Sequence, residues 1–383
     1  MKTLLQGGRA LLDDGSFSAD CSILWEGDRI LAVGDACADF CADRVLDAKG
    51  LAVLPGLVDV HTHGRAGFDF STANAQQLQL MREAYARSGV TTVIPTLASA
   101  TLGDWKQSIS CIEACGFDAI HLEGRYLNPQ KRGAHPVHLL SPLDANELEE
   151  LLQTVHIPCH ISAAFELDPD GSFSACAIRH GATLGLAHTM ATAQQAREAI
   201  SHGVISFTHL YNAMPPLHHR EGGAVSVALC VKGVYGELIA DGIHVCPDMI
   251  RLAYQCLGSA QTVLITDSME ATGCADGTYR IAGQEVVVKE GKALTLDGAL
   301  AGSTLNLWDG VKNLMCFADA TLADAVQCAS RNAARMIGID HLVGSIKAGL
   351  RADLLLVDEQ ALQINQVIRA GELVNRTEKE RME

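Results

Sequence analysis

The strongest constraint on this chain is a unit that repeats. A short apolar or β-branched run ends in a polar loop, and an amphipathic helical pattern follows, again and again between residues 57 and 268. The strand candidates are 57–63, 91–97, 119–124, 160–166, 182–188, 204–210, 237–244 and 262–268. Between them lie segments such as QQLQLMREAYARS, DANELEELLQT and ATAQQAREAISH, whose apolar residues return every third or fourth position. That is the period of a helix with one buried face. Strands alternating with helices imply parallel pairing, because a parallel neighbour requires a crossover connection. Eight such units predict an α/β fold, a closed TIM-like (β/α)8 barrel with its functional residues at the C-terminal ends of the strands.

The two ends of the chain follow a different pattern. Residues 1–53 carry short alternating segments with turn signals (WEGDRILAVG, DAKGLAVLPG), and residues 346–383 carry ADLLLVD and the hairpin-like VIRAGELV. Neither has enough apolar surface to fold alone, so the two are expected to combine as one small β-sandwich domain beside a barrel spanning 54–345. GTYRIAGQEVVVKEGKALTLDG, at about 275–300, reads as a β excursion over the barrel rim.

At the predicted rim the strand ends offer His61 and His63, Thr96, Glu123, Glu166, His188, His209, His244 and Asp267. Imidazole nitrogens and carboxylate oxygens suit zinc, iron or manganese, and this set can hold one or two such ions. His160, at the start of HISAAFE, reads instead as a satisfied core histidine. The formal charge of −16 argues against nucleic acid and anionic membranes as partners, so an anionic substrate needs a local cation. The opening MKTLLQGGRALLDD is too short in apolar residues for a signal peptide, and no uncharged run reaches the ~20 residues of a spanning helix. Thirteen cysteines without a CxxC pair fit reduced thiols, and a cytoplasmic location is expected.

Longer blocks carry a family resemblance. PGLVDVHTHG, the later TDS, and SRNAARMIGIDHLVGSIKAGLRADLLLVD are similar to the metal-dependent amidohydrolase superfamily. Within it, HLEGRYLNPQKRGAHP, FTHLYNAMPPLHHREGG, LIADGIHV, DGTYRIAGQEVVVKEG and LAGSTL resemble the N-acetylglucosamine-6-phosphate deacetylase family over almost the whole chain. The resemblance implies an amidohydrolase-type barrel and removal of acetate from an N-acetylhexosamine 6-phosphate. The galactosamine epimer is the alternative substrate.

Carried over residue by residue, it implies Glu123, His188 and His209 as metal ligands, with His61 and His63 adding a second divalent ion and Asp267 counted in the same metal-binding set. Zinc is the expected metal, with iron or manganese as alternatives. Asp267 is implied as the catalytic carboxylate, and His135 as the group that polarises the substrate carbonyl. Substrate contacts are implied at Ala134, His135, Asn212, Ala213, Arg220, Asp241, Gly242, Ile243, His244, Leu300, Ala301 and Gly302. A homodimer is implied in which Arg220 reaches the neighbouring site.

The chain departs from the family pattern near the rim. Arg125 stands where proline is usual, AAFELD replaces a Pro-Glu ending, Ala187 replaces a glycine, and Ser268 stands where alanine is common. Arg125 is open to three readings: tuning the site, binding a further anionic group, or pairing with a rim carboxylate. Two other function classes compete. A cyclic-amide hydrolase bridges its metals with a modified lysine on strand four, and HISAAFE contains none. A non-catalytic sugar-phosphate binder has no need for both Asp267 and His135.

Overall fold

The computed structural model describes residues 1–296 and 298–376. Its central sheet contains β1 (Leu57–Thr62), β2 (Val90–Leu97), β3 (Ile120–Glu123), β4 (Cys159–Ala163), β5 (Thr183–Leu186), β6 (Val204–Phe207), β7 (Tyr235–Ile239) and β8 (Thr262–Ile265). Each pairs in parallel with the next in chain order. A parallel bridge between Thr62 and Ser268 joins the two ends. The Asp267 N–H donates to the His61 carbonyl at 2.9 Å, and the His63 N–H to that of Ser268 at 2.7 Å. β1, β2 and β3 are buried at every position, as strands must be when helices cover one face and the barrel interior the other.

All eight expected strands are present, and most end earlier than their apolar runs. β4 stops at Ala163, β5 at Leu186, β6 at Phe207, β7 at Ile239 and β8 at Ile265. At the edge, His188, His209 and Asp267 adopt left-handed φ values of 44°, 31° and 48°. That conformation breaks the extended ladder, and such backbone clusters where the surroundings over-determine it. Four of the helices between strands start on side-chain caps. Asn74 with Gln77 opens Ala75–Arg87, and Thr192 with Gln195 opens Ala193–Ser201, both as capping boxes.

The chain termini pair with each other. Lys2–Leu11, Phe17–Glu26, Arg29–Val33, Arg44–Asp47 and Ala52–Pro55 join Leu354–Asp358, Gln363–Arg369 and Glu372–Leu373 in one hydrogen-bonded sheet. The junction is the antiparallel pair Ala52–Pro55 and Leu354–Asp358, with Leu54 opposite Leu355. Alternation divides these strands between two cores. Leu54, Leu355 and Val357 pack into the barrel's outer core, whereas Val53, Leu354 and Leu356 pack with Leu5, Ile23 and Trp25. Arg351 ties the terminal sheet to the barrel floor, its guanidinium donating to both Asp118 oxygens at 2.9 Å and to Thr92 Oγ1 at 2.7 Å. Residues 377–383 of the expected terminal unit lie outside the described residues.

The excursion forms a three-stranded antiparallel sheet of Gly277–Ile281, Gln284–Lys289 and Lys292–Thr295. All thirteen cysteines are free thiols. Among the described residues no helix is long and apolar enough to cross a membrane.

Candidate active site

The strand ends converge on the carboxylate of Glu123, the last residue of β3. One oxygen, Oε2, lies 3.3 Å from His61 Nε2 and 3.1 Å from His63 Nε2. The other, Oε1, lies 3.3 Å from His188 Nε2 and 2.9 Å from His209 Nε2. Two three-residue groups with metal-ligand chemistry therefore share Glu123, and within each group the ligand atoms lie within 4.8 Å of one another. Asp267 Oδ1 stands beside the first, 3.3 Å from His63 Nε2 and 3.6 Å from His61 Nε2.

Hydrogen bonding on the far side of the rings shows that these residues fit a cation. His61 Nδ1 lies 2.9 Å from Glu237 Oε2, and His188 Nδ1 lies 2.7 Å from the Lys131 carbonyl. Both partners only accept, so each Nδ1 carries a proton, and the Nε2 of each ring, the atom left to bind a cation, faces Glu123. The Nε2 atoms of His188 and His209 also face each other at 3.1 Å. Acceptors gathered in this way repel unless positive charge lies among them. Without an ion, protons supply it. Burial opposes charge on His63, yet hydrogen bonds to Asp267 and Glu123 raise it to about 9. Burial likewise works against the Glu123 carboxylate, and the charge of His61 with hydrogen bonds from His188 and His209 holds it well below its usual range.

His135 is prepared as a neutral donor. The Ser99 N–H donates to His135 Nδ1 at 3.4 Å, and Ser99 Oγ, which accepts from the Arg125 N–H at 3.0 Å, lies 2.8 Å from the same nitrogen, so Nδ1 accepts. The ring proton is then on Nε2, which lies 3.9 Å from Glu123 Oε2. Burial, with the charge of His188 next, pushes His135 down to about 3 and keeps it neutral. For Asp267 burial favours protonation, but the hydrogen bond from His63 and the charges of His61 and His63 hold it at about 2.

A cleft of about 360 Å³ opens over this cluster. His63, Glu123, His135, His188, His209 and Asp267 line it, with Ala134, Asn212, Ala213, His244, Leu300, Ala301 and Gly302 among its walls. Gly302 has φ 65°, and a side chain there would meet Met269 and Ile281 at 3.1 Å and the Asp267 carbonyl at 3.2 Å. Glycine is therefore required for that wall to approach Asp267. Gly242 and Ile243 are not cleft-lining residues, and Asp241 acts from behind. Its Oδ1 accepts the N–H groups of Ile243 and His244, both at 2.8 Å, and its Oδ2 lies 2.6 Å from His244 Nδ1. His61 lies beneath the cleft surface. Arg220 is exposed, lies against His219 Nε2 at 2.9 Å, and does not line the cleft of its own chain.

The other rim candidates serve as braces. Thr96 Oγ1 accepts the Thr62 N–H at 2.8 Å, and Glu166 accepts from Asn128 at 2.9 Å and from the Met190 N–H at 2.7 Å. His160 stays in the core, with Nδ1 2.8 Å from Thr183 Oγ1. Arg125 pairs with a carboxylate, as the third reading had it: Nη2 donates to Glu147 Oε2 at 2.8 Å and Nη1 to the Ala100 carbonyl at 2.9 Å. Ser268 Oγ sits 2.7 Å from Thr62 Oγ1 and 3.0 Å from the Tyr85 hydroxyl, in a buried cluster behind Asp267. Three residues that support the site went unnoticed in the sequence: Ser99, Lys131 and Glu237. Only Glu237 left a signal there, a carboxylate inside the otherwise uncharged YGELI.

Known proteins are similar to this chain over most of its length. The sequence profile of the Amidohydrolase family matches residues 52–374. The chain is 34% identical to an N-acetylgalactosamine-6-phosphate deacetylase of Escherichia coli O157:H7, over 98% of this chain and 100% of that protein. It is also 34% identical to an N-acetylglucosamine-6-phosphate deacetylase of Bacillus subtilis (strain 168), over 83% and 84%. Among solved structures, a substituted N-acetyl-D-glucosamine-6-phosphate deacetylase from Mycobacterium smegmatis, in complex with N-acetyl-D-glucosamine-6-phosphate, superposes with a TM-score of 0.89. That match has 32% identity and covers 98% of this chain and 100% of that one. With histidines and acids from six strand ends gathered over an eight-stranded parallel barrel, and with relatives matched over nearly its full length, this chain belongs to the amidohydrolase family.

Proposed function

We propose that the protein hydrolyses the acetamide of an N-acetylhexosamine 6-phosphate, foremost N-acetylglucosamine 6-phosphate, releasing acetate and the amino-sugar 6-phosphate. The observation that carries this reading is the placement of an ionised Asp267 and a neutral His135 donor around one cation-demanding cluster. In this reading His61, His63, Glu123, His188 and His209 hold one or two divalent ions, zinc first, with Asp267 beside them. When bound, such an ion supplies Lewis acidity, polarising the amide carbonyl and acidifying a water molecule. Asp267 Oδ1 takes the proton from the attacking water and returns it to the amine nitrogen, which is too basic to leave as an anion. His135 Nε2–H donates to the oxygen on which negative charge develops.

Substrate contacts come from Ala134, Asn212, Ala213, His244 and the Leu300 to Gly302 wall, with Asp241, Gly242 and Ile243 forming the turn that orients His244. The phosphate is bound by Arg220 of the second subunit of a cytoplasmic homodimer. The galactosamine epimer is a second reading, favoured by the full-length match to an N-acetylgalactosamine-6-phosphate deacetylase. A cyclic-amide mechanism lacks its bridging lysine, since β4 reads CHISA.

An acetate-release screen tests the reading, using metal-analysed protein, N-acetylated hexosamine 6-phosphates and their unphosphorylated parents. Turnover is expected with the gluco or galacto 6-phosphate, and no acetate from either overturns the proposal. Metal analysis gives a second prediction. The wild type should take up about two divalent ions per chain, and His61→Ala with His63→Ala about one. Equal stoichiometry in that double variant would show that the histidine pair is structural.

A further inference from the structure

None of the steps above uses the one carboxylate on β7. Glu237 sits among Tyr, Gly, Leu and Ile in that strand and is 0% exposed. Its Oε2 lies 2.9 Å from His61 Nδ1 and accepts the backbone N–H of His209 at 3.4 Å. Its Oε1 has no hydrogen-bond partner and lies 3.7 Å from His160 Nε2. The ion pairs found at Glu237 among the described residues involve only histidines.

A buried carboxylate in a barrel interior is costly unless something compensates it, and an apolar side chain would fill this place without that cost. The compensation lies beyond the His61 ring. A carboxylate accepting from Nδ1–H fixes the tautomer, holds the ring plane, and makes Nε2 a stronger electron donor. That Nε2 lies 3.3 Å from Glu123 Oε2 and 3.6 Å from Asp267 Oδ1, where the first ligand group converges. His63 has no counterpart to this support: its Nδ1 is buried and without a hydrogen-bond partner. Hence the pair His61 and His63 depends on one outer contact, whereas His188 is held separately by the Lys131 carbonyl.

We propose that Glu237 is the positioning residue of His61 and, through it, decides whether the His61–His63 half of the site holds a cation. The proposal rests on the metal-dependent reading given above and deepens it. It concerns metal retention, so the metal itself can test it apart from turnover.

The test titrates purified protein with zinc(II) against a competing chelator and counts bound zinc. Glu237→Gln keeps the shape and removes the charge. It should weaken the zinc that is lost in His61→Ala by about 10–100-fold, and leave the other zinc at wild-type affinity. In a His61→Ala background Glu237→Gln should have no further effect on the remaining zinc, because the ring through which it acts is gone. Wild-type affinity for both ions in Glu237→Gln overturns the proposal. So does equal weakening of both, or weakening in the His61→Ala background, since either marks a general structural role. Should circular dichroism show that Glu237→Gln is unfolded, Glu237→Asp is read in the same titration. It keeps the charge one methylene short, so selective weakening supports the proposal and unchanged binding overturns it. A wild type that binds one zinc overturns this proposal alone, and one that binds none overturns the metal-dependent reading with it.

Discussion

Asp267→Asn is expected to lower kcat by about 10²–10⁴-fold, the usual worth of general acid–base catalysis, while zinc content and substrate affinity stay close to wild type. The amide retains an oxygen that can face His63 Nε2, where the carboxylate oxygen now lies at 3.3 Å. What it loses is the ability to take a proton from water and return it to the amine. The backbone at this position is held independently of the side chain, by the Asp267 N–H to the His61 carbonyl at 2.9 Å and by the Ser303 N–H to the Asp267 carbonyl at 2.7 Å. The substitution therefore tests chemistry rather than folding. Steady-state acetate release with parallel metal analysis checks it. A variant retaining more than about a tenth of the wild-type kcat removes Asp267 from the proton-transfer role.

Arg220→Ala is expected to raise KM for the 6-phosphate substrate about 30-fold or more, from the ~2 kcal/mol lower limit for deleting one partner of a charged contact. The unphosphorylated sugar should be affected far less. A chain of net charge −16 repels a phosphate in general, so binding requires a focused cation. Lys131 is the one Lys or Arg side chain among the described residues that line the cleft, and its ammonium donates to the Met214 carbonyl at 3.1 Å. Arg220 lies outside its own chain's cleft, which fits delivery to a second subunit.

Complementation decides between the two routes. When Arg220→Ala subunits are mixed with Asp267→Asn subunits, each mixed dimer has one site with its own Asp267 and the other subunit's Arg220. Activity should return in mixtures shown to exchange subunits. No return places the arginine in its own chain's site or outside binding altogether.

The cluster was legible where residue type conflicted with its surroundings. His61 and His63 interrupt an apolar run, and Glu123, His188, His209 and Asp267 fall at the ends of recognisable strands, so periodicity alone placed them on one rim. The strand ends were less legible. A run such as TLGLAH looks extended throughout, but His188 turns left-handed, with its ring placed between the Lys131 carbonyl and Glu123. Arg125 shows the same limit. Its charge was visible, and its partner Glu147, on a helix 22 positions away, was not.

By itself the sequence determined the alternation of strand and helix, the residue types at the rim, and the pairing of the two chain ends. The first two follow from hydrophobic period and local chemistry, which act over a few residues, and the third from the lack of enough apolar surface in either terminal segment to fold alone. Only the tertiary structure decided which lone pairs face each other and which ring nitrogens carry protons. Glu237 gives the reason: the imidazole it holds is 176 positions away in the chain. Barrel closure brings the two to 2.9 Å, and no local pattern encodes a contact between the first and seventh strands of the barrel.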